Sequence, residues 1–265
     1  MSKQVNRKQE SIQDLSQTIR ETEKEKKFGI SGSVLKWIAI LSMLIDHIAC
    51  VFIFSNFQKD PTCFLQLEQN TLDIIWDVYG IMREIGRLAF PIFCFLLVEG
   101  AAHTGNFKKY ISRLFLFAFI SEIPFDLAMH HQLFFWGTQN VYFTLFFGLL
   151  AIQGMAYFRE KKALAWICVI LAGIAAQVLH TDYGVHGIVI IMLFYLFRLE
   201  EKWKVILGSF YEAIIMGIGE AAAALAFIPM HFYNGKRGRQ MKYFFYLFYP
   251  VHLFVLYLIN MCFFL

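Results

Sequence analysis

Residues 35–54 form an apolar run long enough to cross a bilayer, with Lys36 at its start and Asp46-His47 in its middle. In hydrocarbon every backbone polar group must be satisfied within the segment, so such a run folds as a helix. Ionisable groups at the centre of a spanning helix cost about 2.5–3.5 kcal/mol each on insertion scales. They are tolerated where they face protein, water or a ligand. Lys36 and His47 are eleven residues apart, which returns to nearly the same helix face ~16 Å further along. One stripe of one membrane helix therefore presents a cation near one surface and an imidazole near the midplane.

The rest of the chain extends this constraint. It is 58% hydrophobic and 18% aromatic, above the ~45–50% apolar content of soluble domains. Its charges cluster between apolar runs. The expected fold class is an all-α integral membrane protein, a polytopic bundle of about nine (eight to ten) transmembrane segments in the lipid bilayer of the cell membrane. Residues 1–33 carry seven Lys/Arg and five Asp/Glu, and read as a charged cytosolic tail ahead of a membrane domain at 34–265. No apolar stretch with a small-residue cleavage site precedes the first span, so no cleaved signal is expected. The net charge of +4 is accounted for by membrane orientation, and gives no basis for a nucleic-acid partner. The five cysteines show no metal-ligand spacing. Cys63 lies in a loop, and the other four read as small core hydrophobes.

Apolar runs bounded by charge or turn residues place spans at 35–55, 86–103, 110–129, 141–158, 163–179, 184–198 and 242–264. A loop is expected at 56–82, with an amphipathic piece near 72–82. The 204–233 region is short for two crossings and predicts two short helices breaking near 217–219, re-entrant in form. Lys108-Lys109, Arg159-Lys161-Lys162, Arg198-Lys202-Lys204 and Lys236-Arg237-Arg239-Lys242 are the basic loops, whereas 130–140 and 180–184 carry no Lys or Arg. The positive-inside rule then sets the amino terminus inside and the carboxyl terminus outside.

On this topology His47, Glu122 and His252 fall at similar depth, ~15–18 Å from the cytosolic ends of three helices. That coincidence predicts one shared polar cavity and makes the three the candidate catalytic residues. A second set lies nearer the outer side: Arg83, Arg87, Asp126, Asn140, Thr144, Asp182 and His186. There Arg87 with Asp126 is the expected ion pair. Asp46, ~100° round the helix from His47, reads as an ion-pair partner for a neighbouring helix. The i, i+4 pairs Glu99/His103, Glu122/Asp126 and Asp182/His186 are too sparse for a metal site, so no metal is expected. On the cytosolic side lie Lys36, Glu99, His103, Lys108, Lys109 and the loop Tyr233-Asn234-Gly235-Lys236-Arg237-Gly238-Arg239, a surface that could meet an anionic ligand, since glycines in the loop free backbone N–H groups for phosphate oxygens.

Eight short pieces in order resemble the TraX family of membrane proteins. They are Leu35-Lys36…Asp46-His47, Ile85-Gly86-Arg87-Leu88-Ala89-Phe90-Pro91 leading to Glu99-Gly100, Tyr110…Arg113-Leu114, and Ser121-Glu122-Ile123-Pro124-Phe125-Asp126. Asn140…Phe143-Thr144, Tyr183-Gly184…Gly187, Tyr233-Asn234-Gly235-Lys236-Arg237-Gly238 and Lys242-Tyr243-Phe244-Phe245-Tyr246…Tyr249-Pro250…His252 complete the set. The resemblance covers about residues 33–260. It implies amino-terminal acetylation of a conjugative pilin and kinship with a wider superfamily of membrane acyltransferases, in which a basic residue and a histidine with ten residues between them carry the chemistry. It further implies acetyl-CoA as cytosolic donor, Lys36 with Asn234, Lys236, Arg237 and Arg239 as donor-binding residues, and His47 acting on a pilin-like or glycan acceptor. Two rival classes remain: a proton-coupled transporter, since midplane His, Asp and Glu also mark proton relays, and a non-catalytic assembly protein of an envelope machine.

Overall fold

A computed structural model describes residues 29–64, 67–215, 218–239 and 241–264. Most of the charged tail, residues 1–28, lies outside them, as does Gly217 of the expected break. Helix α1 (Gly32–Ala49) continues through a π-helical turn (Cys50–Ser55) into a last α-turn (Asn56–Lys59). These make 28 helical residues in a row, a length of ~42 Å. The π turn begins three residues after His47, and such turns recur where a helix is adapted for function.

The second crossing corrects the expected loop at 56–82. Residues Gln69–Gly86 form an 18-residue helix, α2. After a break at Arg87-Leu88 it continues as α3 (Ala89–Ala102), so the crossing is a 34-residue unit, Gln69–Ala102, rather than 86–103. The polar residues of α2 resemble a loop in composition, but packing on α1 overrides that signal. Trp76 meets Phe57 edge-on at 5.1 Å, Tyr79 stacks on Phe54 at 6.0 Å, and Arg83 reaches Asp46 at 2.6 Å. Gly86 makes the approach possible, because a Cβ there would run into the Asp46 side chain.

Helix α4 (Phe107–His130) is capped by Asn106, whose side chain accepts from Lys109 N–H at 2.9 Å, and it stops at His131 in the left-handed region (φ 55°). Helix α5 (Val141–Tyr157) is capped by Asn140, which accepts from Tyr142 N–H at 3.0 Å. Helices α6 (Lys162–Val178) and α7 (Gly184–Leu196) follow. Small residues let these three pack closely: a Cβ on Gly148 would strike Ile191 of α7, and one on Gly154 would strike Cys168 of α6.

Helix α8 (Glu201–Phe210) runs into a π turn (Tyr211–Ile215). Beyond 216–217 the chain returns as a 3₁₀ stretch (Ile218–Ala226) and α9 (Phe227–His231), packed against the outgoing arm. His231 Nδ1 lies 3.1 Å from Glu201 Oε1. Entry and exit are therefore level, and the region is a helical hairpin of re-entrant form. Helix α10 (Lys242–Phe264) completes the bundle. The described residues form no strand; two isolated bridges, Ile30 with Tyr233 and Gln139 with Thr181, are the only extended pairings among them. Three helices, Gly32–Lys59, Gln69–Ala102 and Tyr243–Phe263, are long and apolar enough to cross a membrane, and α5, α6 and α7 are shorter apolar helices. The protein is an all-α membrane bundle.

Two ends are defined by contacts between distant segments. At one end Arg198 Nε bonds Glu99 Oε1 at 2.7 Å, and Arg237 donates to the His103 carbonyl at 2.6 Å. At the other, Ser55 Oγ and His131 Nε2 are 2.6 Å apart, and Asn56 and Asn260 exchange two amide hydrogen bonds of 2.8 and 3.0 Å. The basic loops gather at the first end. Among the cysteines, Cys50 and Cys94 are buried, Cys168 is half-buried, and Cys262 is exposed rather than a core residue.

Candidate functional site

A cavity of about 370 Å³ opens at the basic end, within the usual size of a ligand pocket. Its sequence order along α1 gives its depth: Gly32 and Lys36 line the outer part, and Met43 lies two turns further in. Near the mouth stand Glu99, His103 and Arg237; the walls include Tyr110, Arg113 and Tyr233; Tyr142, Leu145 and Tyr249 line it further in. Glu99 is bound to Arg198, so its charge is already met. Lys36, Arg113 and Arg237 leave a cationic excess on the lining. The Lys36 ammonium sits over the Phe245 ring at 5.0 Å, and among the described residues Arg113 Nε is buried with no hydrogen-bond partner, while its guanidinium donates to the Tyr246 hydroxyl. A buried donor of this kind favours an anionic or carbonyl oxygen beside it.

The 233–239 loop is built onto the start of α1. Ile30 N–H donates to Phe232 O (2.8 Å), Asn234 N–H to Ile30 O (3.0 Å) and Gly32 N–H to Lys236 O (2.8 Å). Asn234 is buried and closes the turn, donating to Gly29 O and accepting from Lys236 N–H, each at 3.0 Å. Gly235 and Gly238 hold positive φ, 75° and 66°, as the reversal requires. Of the five residues expected to hold the donor, Lys36 and Arg237 line the cavity. Asn234 is a structural cap, and Lys236 and Arg239 are exposed outside it.

Below the cavity lies a histidine pair. His47 Nδ1 and His252 Nε2 are 2.6 Å apart, with ring planes within 7° of each other. His252 Nδ1 is 2.6 Å from the Phe248 carbonyl. A carbonyl only accepts, so His252 Nδ1 carries a proton. In a neutral ring Nε2 must then accept, which puts the shared proton on His47 Nδ1 and leaves His47 Nε2 with its lone pair. His47 and His252 do not line the cavity; Tyr249 does, and its ring is 5.8 Å from each of theirs. Tyr249 is thus the side chain between cavity and imidazoles.

The expected three-way polar cluster is reduced to two. Glu122 is held by Asn140, which donates to it from both its side-chain amide and, at 3.3 Å, its backbone N–H. Asp126 corrects a second expectation. Its Oδ2 accepts from Phe135 N–H at 2.8 Å, and among the described residues its Oδ1 has no hydrogen-bond partner, so it does not pair with Arg87. Both carboxylates instead tie the 131–140 segment back onto α4. Arg87 sits close enough to Asp46 to act on its charge, but the residue bonded to Asp46 is Arg83, through both carboxylate oxygens at 2.6 Å. Thr144 donates to the Asp182 carbonyl and meets Thr181 at 2.9 Å, while His186 Nδ1 is 2.8 Å from Tyr211 Oη. These outer-side groups do not converge on His47.

The sequence places Glu99 and His103 on the cytosolic surface but singles out no role for Tyr110, Arg113, Tyr142 or Tyr249. All four fall in or beside the ordered motif pieces, and that is their signal in the sequence. Tyr142 follows the Asn140 cap, and its Oη donates to Tyr246 O at 3.1 Å.

Comparison with known proteins bears on this site as a whole. The family profile described as TraX protein matches residues 31–260. The chain is also similar to a protein of Dichelobacter nodosus named "Probable fimbrial assembly protein FimC, serogroup H1". The two are 29% identical over 253 residues, covering 86% of this chain and 95% of the relative. No solved structure matches.

Proposed function

The chain belongs to the TraX family, and from that premise we propose that it is a membrane acyltransferase using acetyl-CoA. The protein sits in the cell membrane with the basic end, and so the amino terminus, in the cytosol, as the positive-inside rule directs. The acceptor is an amine, such as the amino terminus of a fimbrial or pilin-like subunit, or a hydroxyl. The observation that carries this reading is the cavity. Lys36, Arg113 and Arg237 line it together with Tyr249, and the His47–His252 pair lies behind that ring. A cationic lining suits the coenzyme A phosphates, and the apolar and aromatic side chains further in suit the pantetheine arm that brings the thioester inward.

In the transfer, the acceptor nitrogen or oxygen attacks the thioester carbonyl carbon. His47 Nε2 takes the proton the acceptor gives up, and the hydrogen bond from His47 Nδ1 to His252 stabilises the charge that forms on the ring. The C–N or C–O bond forms, the C–S bond breaks, and the thiolate leaves with a proton as free coenzyme A. Lys36 and Arg237 bind the donor; His252 is a positioning residue.

Membranes or purified protein given labelled acetyl-CoA and a pilin-like peptide acceptor should release coenzyme A and label the acceptor in step. If acetyl-CoA neither binds nor is consumed, the reading fails, and the assembly role suggested by the relative's name takes its place. Lys36→Ala should raise the KM for acetyl-CoA about tenfold or more with kcat little changed, as loss of a charged hydrogen-bond donor predicts. Unchanged donor affinity in that variant would remove Lys36 from the site.

A further inference from the structure

Helix α2 carries an apolar stripe that no other described residue covers. Ile74, Val78, Ile81 and Ile85 are exposed, Ile74 and Ile81 by more than 60%. Their spacing of four, three and four keeps them on one face for three turns. Asp73, Asp77 and Glu84, all exposed, run along one flank of this stripe. Asp73 Oδ1 accepts from Gln69 at 2.8 Å. Among the described residues Glu84 makes no hydrogen bond or ion pair. The basic residue of the helix, Arg83, is turned inward onto Asp46 and Cys50.

The depth of Glu84 makes this unusual. Its neighbour Arg83 contacts Asp46 and Cys50 on α1. These lie six to ten residues inward of Asn56, ~9–15 Å from the level where α1 meets the end of α10. Measured from Lys36 they are ~15–21 Å in. Glu84 is therefore near the middle of the bundle, on an outward face. A carboxylate turned to lipid at that depth is among the costliest placements on a spanning helix, and such groups pair with a partner or line a path.

We propose that this face of α2 docks a transmembrane helix of another protein, one that places a lysine, arginine or free amine against Glu84. Charge decides the class of partner. A second copy of this chain, inserted in the same direction about a twofold axis, would carry its carboxylate flank to the far edge of the contact and offer Glu84 no cation from its own α2, whose Arg83 is turned inward. A helix that is apolar on its contact face and basic at its middle meets both the stripe and the carboxylates. Gly80 provides the point of closest approach, lying on the same flank between Asp77 and Glu84 with nothing within 4 Å of where its Cβ would stand. Docking of this kind needs no acyl donor, so its failure and the failure of acetyl transfer are read separately.

The full chain, reconstituted in phosphatidylcholine vesicles and labelled for energy transfer, is titrated with a synthetic leucine–alanine transmembrane helix bearing one central lysine. A counterpart bearing leucine at that position is the comparison. The lysine helix should bind about tenfold more tightly, as a pairing that removes a lone membrane charge predicts. Glu84→Gln should erase the preference. Gly80→Leu, whose side chain enters open space and favours the helix, should weaken binding of both peptides while the protein remains inserted. Equal binding of the lysine and leucine helices to wild type would overturn the proposal, as would a preference that survives Glu84→Gln. Self-crosslinking of an Ile81→Cys chain in preference to capture of the lysine helix would assign the face to a second copy instead.

Discussion

His47→Ala lowers coenzyme A release by at least about 100-fold, the range for loss of a general base, with the protein still inserted. The expectation follows from the hydrogen-bond order of the pair. The Phe248 carbonyl fixes the proton on His252 Nδ1, and the 2.6 Å contact fixes the next on His47 Nδ1. The nitrogen left to accept a proton is His47 Nε2, so truncation removes the base itself. His252→Ala removes only what orients it and should cost less, about tenfold in kcat, with KM for acetyl-CoA unchanged. His252→Gln, whose amide oxygen can accept from His47 Nδ1, should recover part of that loss, a rescue that a merely packing role for His252 would not show. Full turnover in His47→Ala would end the mechanism; equal losses in His47→Ala and His252→Ala would reverse or merge the two roles.

Much of this arrangement was legible in the chain before its fold. The midplane depth of His47 and His252 followed from counting residues from the basic ends of their helices, and the two rings do meet. The same count put Glu122 with them, and there it failed. Depth fixes height in a bundle but not rotation about each helix axis, and on α4 the rotation gives Glu122 to Asn140. The helical hairpin at 201–231 was legible because its length was too short for two crossings while its flanking charges demanded a return. Helix α2 was misread as mostly loop. Its carboxylates and its Gln69-Asn70 start have loop composition, and only the aromatic ladder of Phe54, Phe57, Trp76 and Tyr79 together with the Arg83–Asp46 pair makes it a packed helix. Arg83 and Arg87 both belong to the outer-side set, but a span begun at residue 86 contains Arg87 alone, and so Arg87 rather than Arg83 is the expected ion-pair member.

That pair yields the largest stability effect expected outside the imidazoles. Arg83 and Asp46 lie 24% and 16% exposed in their side chains, deep in the bundle, and Arg83 also donates to Cys50 Sγ at 3.0 Å. Removing one member of a buried pair strands the other, at a cost of about 3–5 kcal/mol. Arg83→Ala should therefore unfold at markedly lower denaturant or temperature than wild type, because Asp46 keeps its carboxylate with Gly86 pressed against it and little room to turn to water. Asp46→Asn should be milder, since the amide oxygen still accepts from the guanidinium. The double change Asp46→Leu with Arg83→Met should lie closer to wild type than Arg83→Ala alone, since a well-packed apolar pair can replace a buried ion pair at little cost. A double-mutant cycle read by unfolding in detergent checks the order. If Arg83→Ala matches wild type, the pair carries no stability and its conservation of geometry must serve another end. Asp46 adjoins His47 in the chain, so a loosened α1–α2 contact should also appear as lost kcat in Arg83→Ala. The acetyl-CoA KM should hold, because Lys36 lies ~15 Å away at the mouth.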